Sequence, residues 1–408
     1  MSAIGRRWRE AIGPGFLVAA AFIGPGTVTT ASVAGAAFGY QLAWAILFAI
    51  LATMLLQEMA ARLGLASGLG LGEAIRMSFD APMLQFLAVG LVVLAIGFGN
   101  AAYQAGNITG AALGLAALSG IAPPAWALVV GALASVLLLS GAYRVIERLL
   151  IALVAVMGIT FLATAALSMP KLGALTHGLI RPDIPKGGLL TTLALVGTTV
   201  VPYNLFLHSS AVQEKWGSIA DTLSAVKLAR RDTVISVGIG GLVTLAILVT
   251  AFPLFLAGTG ISSPADMARQ LEPLLGPWAS SFFAVGLFAA GLTSAITAPL
   301  AAAYAVCGTF GWPADMASWR FRVIWGVVML TGTVFAVLGT RPVQAIVAAQ
   351  AANAVLLPLV AVFLLVAVNR RDFMGHQRNS AAANLGGAAV VALTALLGGT
   401  QLWRVFFG

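Results

Sequence analysis

The chain has 408 residues, of which 60% are hydrophobic and only 9% are charged, and its mean hydropathy is +1.00. A soluble protein of this size has no core large enough to bury so much apolar surface, so a polytopic α-helical membrane protein is indicated, and the short alternating segments of a membrane β-barrel do not occur. The single cysteine, Cys307, excludes an internal disulfide, and the net charge of +9 is typical of membrane orientation rather than nucleic-acid binding.

Hydropathy and turn residues divide the chain into eleven predicted spans, of which the first and the sixth are interrupted by a proline. The predicted limits are 12–38, 42–61, 82–110, 124–142, 149–168, 189–213, 232–256, 277–307, 323–339, 343–368 and 383–403. We therefore expect an all-α membrane protein with one transport domain over residues 1–408.

Basic residues are distributed unevenly between the two sides of these spans. With the N-terminus inside, sixteen of the 22 lysines and arginines fall in inside segments and six in outside segments. Because positive loops stay on the cytoplasmic side, this predicts a cytoplasmic N-terminus and an extracytoplasmic C-terminus. We expect a multi-pass protein of the plasma (inner) membrane.

The first predicted span is interrupted by Gly24-Pro25-Gly26-Thr27. The proline removes a backbone donor and clashes with the preceding turn, and the two glycines add backbone freedom, so the helix breaks here. Backbone groups freed inside a bilayer are costly unless they are buried in protein or line a wet cavity. The segment therefore predicts a discontinuous helix with a transport site at its break.

A second break interrupts the sixth predicted span at Val201-Pro202-Tyr203-Asn204. Each break has proline in second place and a polar residue in fourth place. A single proline kink is common in membrane helices, but two kinks in matching positions of two halves are a more specific signal of a substrate site.

The number of spans predicts how the two halves are related. Five predicted spans precede the loop 169–188, and the sixth opens a second set of five. An odd number of spans inverts the second set relative to the first, and inverted repeats of five that each begin with a broken helix are the LeuT-type architecture of secondary transporters. We expect repeats over residues 12–168 and 189–368, with 383–403 as an additional helix 11.

The third predicted span carries four polar residues at i, i+3, i+4 and i+7, which places them on one face of a helix. They are Asn100, Tyr103, Gln104 and Asn107. Interhelical hydrogen bonding is the ordinary role of such residues, but four large polar neighbours favour a face that lines a cavity. For Gln350 and Asn353 in the tenth span we favour packing.

Together, the two breaks and this face form the candidate substrate site. Its residues are Gly24, Pro25, Gly26, Thr27, Thr198, Val201, Tyr203, Asn204, Asn100, Tyr103, Gln104 and Asn107. Free N–H groups at the start of the second half-helices favour an anionic group, and free carbonyls at the end of the first half-helices favour a cation. A site with both suits a zwitterion, and it holds a cation more weakly through carbonyls alone.

Three ionisable residues are candidates for a proton pathway: His208, Glu58 and Asp232. His208 is the only histidine in a predicted span, and histidine changes charge near neutral pH; a neutral, hydrogen-bonded histidine is an equally good interpretation. Glu58 is the only acid clearly within a span, near its cytoplasmic end, where a pair with Arg62 at i+4 is the favoured role. Asp232 is predicted to open the seventh span.

Five segments resemble the Nramp (natural resistance-associated macrophage protein) family of proton-coupled divalent-metal transporters, and the similarity runs across nearly all the spans. These segments are Gly13-Pro14-Gly15-Phe16-Leu17-Val18, Gly24 to Thr27, Leu56-Gln57-Glu58-Met59-Ala60-Ala61-Arg62-Leu63-Gly64, Val201 to Ser209, and Ala289-Ala290-Gly291-Leu292-Thr293-Ser294-Ala295-Ile296-Thr297. The resemblance implies the eleven-helix version of the LeuT-type fold, in the APC superfamily, and coupled transport of a divalent metal.

The sequence departs from the family pattern at the site itself. The family's first break reads Asp-Pro-Gly-Asn and its second reads Met-Pro-His, and the departures are at Gly24, Thr27, Val201 and Tyr203. An alanine whose carbonyl helps to bind the ion in the family appears as Thr198, whereas the family's second helix-6 histidine matches His208. Without the carboxylate and the thioether, the Mn²⁺/Fe²⁺ specificity does not carry over, and the metal ligands are left open.

Two functions remain, and they differ in the class of substrate. One is transport of a divalent cation, and the alternative is transport of a small zwitterionic or polar organic solute such as an amino acid. A sensor built on the same fold is a third, weaker hypothesis. We expect a secondary-active transporter that works by alternating access in the lipid bilayer, with no enzyme activity, no cofactor and no nucleic-acid partner, as a monomer. The sequence contains no ATP-binding loop ending in Gly-Lys-Ser/Thr.

Overall fold

The computed structural model describes residues 13–14, 23–141, 143–313 and 315–407. Within these ranges the regular structure is entirely helical, and ten helices are long and apolar enough to cross a membrane. The prediction of an all-α polytopic membrane protein is confirmed. The first half of the first predicted span lies largely outside the described residues, so the count of ten stands close to the predicted eleven.

Twelve helices form the body of the described part of the chain. In the first half they are α1 (Pro25–Phe38), α2 (Ala43–Ser67), α3 (Pro82–Ser119), α4 (Pro123–Ser140) and α5 (Tyr143–Leu167). In the second half they are α6 (Leu189–Thr199), α7 (Pro202–Trp216), α8 (Thr222–Thr250), α9 (Ala279–Phe310), α10 (Trp319–Leu338), α11 (Pro342–Asn369) and α12 (Ala381–Phe407).

Shorter helices lie in the connections. They are Leu71–Met77, Leu172–Ile180, Phe252–Leu256, Pro264–Ala268, Glu272–Leu275 and Arg371–Met374, with 3₁₀ turns at Arg269–Leu271, Gly276–Trp278 and Gly375–Gln377. The run of short elements from 264 to 278 joins α8 to α9.

Local sequence explains where the helices begin and end. Pro82 occupies the first turn of α3, where its missing N–H has no helical partner to lose, and the helix ends at Gly120, whose φ of +72° suits a residue without a side chain. The helix therefore continues nine residues beyond the predicted limit at residue 110, because nothing in the sequence stops it earlier.

The prediction that Asp232 opens the seventh span is wrong. The helix α8 begins ten residues earlier, at Thr222, because the Asp221 side chain caps it by accepting hydrogen bonds from the N–H groups of Leu223 and Ser224. The Ser224 hydroxyl and these N–H groups lower the pKa of Asp221. Asp232 lies three turns inside the helix and is half-buried.

The bundle is arranged around two short, enclosed helices. The helix α6 is buried from Thr191 to Thr199, and the first half of α7 is buried from Pro202 to Phe206. In contrast, α3 exposes large apolar side chains such as Phe86, Leu94 and Phe98 on its outer side. This pattern, polar and buried inside with apolar side chains outside, is expected when the surrounding solvent is lipid.

In the described residues, one helix begins at each of the two prolines where the sequence predicts a break. At the first, Gly24 caps α1 with an extended backbone (φ −99°, ψ −174°) and Pro25 is the first helical residue. At the second, Val200 and Val201 are non-helical between α6 and α7, and Pro202 is the first residue of α7.

Candidate functional site

The two helix breaks meet in the interior of the bundle. The hydroxyl oxygens of Thr27 at the start of α1 and Thr198 at the end of α6 are 2.8 Å apart and fully buried, so they share a hydrogen bond across 171 residues of sequence. These two residues stand where the family pattern has an asparagine and an alanine. The structure thus brings together the predicted residues of the two breaks at one point.

The first break is packed tightly against α3. A Cβ atom built on Gly110 would lie 2.1 Å from the Cβ of Pro25, so only glycine at position 110 admits the proline. The break in α1 is therefore held in place by its neighbour and is not an isolated kink.

Gln350 on α11 lies between the two broken helices. A Cβ on Gly26 would lie 2.2 Å from Gln350 Nε2, and a Cβ on Gly197 would lie 2.0 Å from the Gln350 carbonyl oxygen. The Gln350 side chain is fully buried, and both its amide atoms lack a hydrogen-bond partner among the described residues. From the sequence, packing is the role predicted for this residue, and it is not among the predicted site residues. The glycines of the broken helices were the available signal, since each indicates a close neighbour.

The second break contributes an amide and an aromatic ring. Asn204 is fully buried, and neither its Oδ1 nor its Nδ2 has a partner in the described part of the chain. The ring of Tyr203 packs edge to face against the ring of Tyr103 on α3, with centroids 5.6 Å apart and the planes at 68°. Val201 is buried beside them. Tyr103 therefore lies next to the second break.

The other polar residues of α3 are largely engaged with protein groups. Gln104 Nε2 donates to the Ala295 carbonyl of α9 at 2.9 Å, and Asn107 Nδ2 donates to Gln104 Oε1 at 3.4 Å. Asn100 Nδ2 donates to the Ile96 carbonyl at 2.8 Å, while its Oδ1 has no partner within the described ranges. This face therefore contributes interhelical hydrogen bonds as well as polar surface.

The site is neutral over the residues that the structure describes. No group of three or more His, Cys, Asp or Glu side chains that would hold a metal ion occurs in these ranges. The oxygens near the breaks belong to hydroxyls, amides and backbone carbonyls, which are hard, uncharged ligands. One carbonyl of the second break, that of Thr199, accepts a hydrogen bond from Thr53 Oγ1 at 3.3 Å.

His208 lies one turn beyond Asn204 on α7 and faces α8. Its Nε2 is 3.1 Å from Thr233 Oγ1, and its Nδ1 has no partner among the described residues. Asp232, the residue before Thr233, places its carboxylate against Gly13, since a Cβ there would lie 2.1 Å from Asp232 Cγ. His208 on α7 thus contacts α8 at the residue next to Asp232.

Glu58 forms an ion-paired cluster at the end of α2. Its carboxylate accepts hydrogen bonds from Arg62 Nε at 3.1 Å and from Arg230 Nη2 on α8 at 2.6 Å. Arg62 also donates to the Gln377 carbonyl and to Asn379 Oδ1 in the connection before α12. The i, i+4 pair with Arg62 that the sequence favoured is present.

The helix α1, which begins at the Gly-Pro-Gly segment, and the interrupted pair α6 and α7 meet through buried polar groups inside the described helical bundle. This arrangement is typical of the LeuT-type class of membrane transporters. Comparison with known proteins identifies the family. The profile of the Nramp family, described as natural resistance-associated macrophage protein-like, matches residues 15–404, and the chain belongs to this family.

Two curated relatives are described as the divalent metal cation transporter MntH. The protein from Klebsiella pneumoniae (strain 342) is 30% identical over 397 residues, which cover 95% of this chain and 92% of the relative. The protein from Deinococcus radiodurans is 29% identical over 411 residues, which cover 99% of this chain and 92% of the relative.

Solved structures confirm the fold. The manganese transporter of Eremococcus coleocola, in complex with an aromatic bis-isothiourea compound, matches with a TM-score of 0.75 and 26% identity over 95% of this chain and 84% of that chain. MhsT in complex with L-phenylalanine matches with a TM-score of 0.60 and 18% identity over 96% of this chain and 98% of that chain, a likeness of fold alone.

Proposed function

We propose that the protein is a secondary-active transporter that carries a divalent cation through the membrane by alternating access, with the cation bound between the two helix breaks. The family membership and the descriptions of its relatives support this function. The observation that carries it is the meeting of the two breaks at Thr27 and Thr198 in the buried centre of the bundle.

The ligand set differs from that of the family pattern. Gly24 supplies no carboxylate and Val201 no sulfur, so neutral oxygens remain, among them those of Asn204 and Gln350. Neutral oxygens suit a hard cation that keeps part of its water shell, such as Mg²⁺, better than a soft transition metal. We propose that this set binds its cation more weakly than the family's site and prefers hard cations to Mn²⁺ and Fe²⁺.

A second candidate substrate is a small zwitterionic or polar organic solute. The buried amides of Asn204 and Gln350 each leave an NH₂ donor without a partner in the described ranges. A metal cation does not accept hydrogen bonds from these donors, whereas a solute with a carboxylate or carbonyl group does. The N-termini of α1 and α7 favour such a group as well.

Thermal unfolding of the purified protein distinguishes the two substrate classes. A ligand that binds only the folded state stabilises it by about 2.7 kcal/mol at a hundredfold excess over its dissociation constant. We expect a dose-dependent increase of the unfolding temperature with Mg²⁺ or Mn²⁺ and none with amino acids. A shift with one zwitterionic metabolite and none with any divalent cation contradicts cation transport and supports the second candidate.

Proton coupling through His208 has a separate test. We expect His208→Ala to remove the pH dependence of cation uptake into proteoliposomes, because the imidazole is buried one turn beyond Asn204 and histidine changes charge near neutral pH. His177→Ala, in the short helix Leu172–Ile180, is the matched control and leaves the pH dependence unchanged. A pH profile of His208→Ala identical to that of the wild type removes His208 from the mechanism.

We further propose that residues 12–168 and 189–368 are inverted repeats of five helices, with 383–403 outside them. The two breaks at the starts of these ranges support the repeat, and the excess of basic residues in alternate loops supports a cytoplasmic N-terminus in the plasma (inner) membrane. A monomer is the assembly that we propose.

A further inference from the structure

Ser294 on α9 has an unusual hydroxyl group. The three threonines of this helix each donate to the carbonyl one turn earlier: Thr293 to Ala289 at 2.7 Å, Thr297 to Thr293 at 3.1 Å and Thr309 to Ala305 at 2.7 Å. This is how hydroxyls in membrane helices are usually satisfied. Ser294 is 1% exposed, and its Oγ has no hydrogen-bond partner among the described residues.

The Ser294 hydroxyl lies at the first helix break. A Cβ atom built on Gly24 would be 2.8 Å from Ser294 Oγ and 3.8 Å from the Tyr103 hydroxyl oxygen. Gly24 is the position at which the family pattern has its aspartate. The hydroxyl therefore lies beside the position at which the family pattern has its carboxylate, at the N-terminus of α1.

Packing fixes the backbone of α9 around Ser294. Gln104 Nε2 on α3 holds the carbonyl of the next residue, Ala295, at 2.9 Å. One turn earlier, a Cβ on Gly291 would lie 2.5 Å from the backbone nitrogen of Ala111, so α9 and α3 are in close contact there. A buried polar atom without a partner costs stability, and a bound water or ligand is the usual explanation.

We propose that Ser294 Oγ is a ligand of the transported cation, supplying at the first break an oxygen that Gly24 does not. Its oxygen is available to a ligand at the break because it has no hydrogen-bond partner among the described residues. Being neutral, it binds a cation more weakly than a carboxylate does. This inference rests on the proposed cation transport and assigns one of its specificity-determining residues.

The test is Mn²⁺ binding to the purified full-length protein, measured by isothermal titration calorimetry. We expect Ser294→Ala to weaken binding by about tenfold, the usual scale for losing one oxygen contact to a charged group. Ser294→Thr, which keeps the hydroxyl, is expected to restore most of the affinity. Thr293→Val is the matched control, since it removes a hydroxyl that is satisfied within the same helix, and we expect wild-type binding.

A gain-of-function variant tests the same position from the opposite direction. Ser294→Asp places a carboxylate beside the first break and is expected to increase the affinity for Mn²⁺ by at least about tenfold. If Ser294→Ala binds Mn²⁺ as tightly as Thr293→Val does while the wild type binds it, the role of Ser294 is refuted and cation transport stands. If the wild-type protein binds no divalent cation, both the role of Ser294 and the proposed cation transport are refuted. Ser294→Ala and Ser294→Thr decide the outcome if the aspartate variant does not fold.

Discussion

Replacing Gly24 by aspartate is expected to increase the affinity for Mn²⁺ on the order of a hundredfold, about 2.7 kcal/mol. None of the residues described at the two breaks carries a carboxylate, so one negative charge in contact with a divalent cation strongly changes the electrostatics of the site. Calorimetric titration of the purified variant with Mn²⁺ and Mg²⁺ measures the effect.

The backbone at position 24 accepts this residue. Its φ of −99° and ψ of −174° are extended values that any side chain adopts, and position 24 caps α1, where aspartate is among the preferred residues. The one close contact of the new Cβ would be Ser294 Oγ at 2.8 Å, the end of a side chain that can rotate. The substitution therefore tests charge at the site without opposing the local conformation.

Gly24→Asn is the matched control, because it has the same shape as aspartate and no charge. We expect it to bind Mn²⁺ with close to wild-type affinity. If the carboxylate of an organic solute lies at this break, Gly24→Asp abolishes binding of that solute by repulsion and gains nothing for metals. Equal Mn²⁺ affinities for the aspartate and asparagine variants would contradict a cation site at the break.

The second large effect is expected from Glu58→Ala, which should lower the free energy of unfolding by about 3 kcal/mol. The Glu58 side chain is 15% exposed and that of its partner Arg62 is 7% exposed, so the pair is mostly out of solvent. Removing the carboxylate leaves the Arg62 guanidinium uncompensated and frees Arg230 on α8. Chemical unfolding in detergent, compared with the wild type, measures the loss.

Asp372→Asn is the control for this effect. Asp372 pairs with Arg370, but its side chain is 71% exposed, so its removal should change stability by less than about 0.5 kcal/mol. If Glu58→Ala unfolds like the wild type but loses the pH dependence of transport, Glu58 belongs to a proton pathway and not to a structural cluster. The geometry supports the structural role, since both carboxylate oxygens are used by arginines.

Local chemistry made part of the architecture predictable. Proline and glycine act on the residues beside them, so the breaks at Pro25 and Pro202 were visible in the sequence and lie where expected. The same locality explains the error at Asp232. Hydropathy alone does not report the cap at Asp221, whose side-chain hydrogen bonds start α8 before its apolar part begins.

The partners of the site residues were beyond the reach of local rules. Gln350 and Ser294 looked like ordinary polar residues of apolar helices, and only their distances to Gly26 and Gly24 place them at the breaks. Similarly, the spacing placed Tyr103 and Gln104 on one face of a helix. It did not show that Tyr103 would pack against Tyr203 or that Gln104 would donate a hydrogen bond to the carbonyl of Ala295.

By itself, the sequence determined the membrane class and the positions of the two breaks, because composition and backbone constraints are properties of short segments. It also showed that this chain lacks the aspartate and the methionine that the family has at the breaks. Only the tertiary structure decided that Thr27 meets Thr198 and that Gln350 and Ser294 adjoin the first break. Contacts between residues far apart in the chain depend on how whole helices pack, and the close approach of those helices is a property of the assembled bundle.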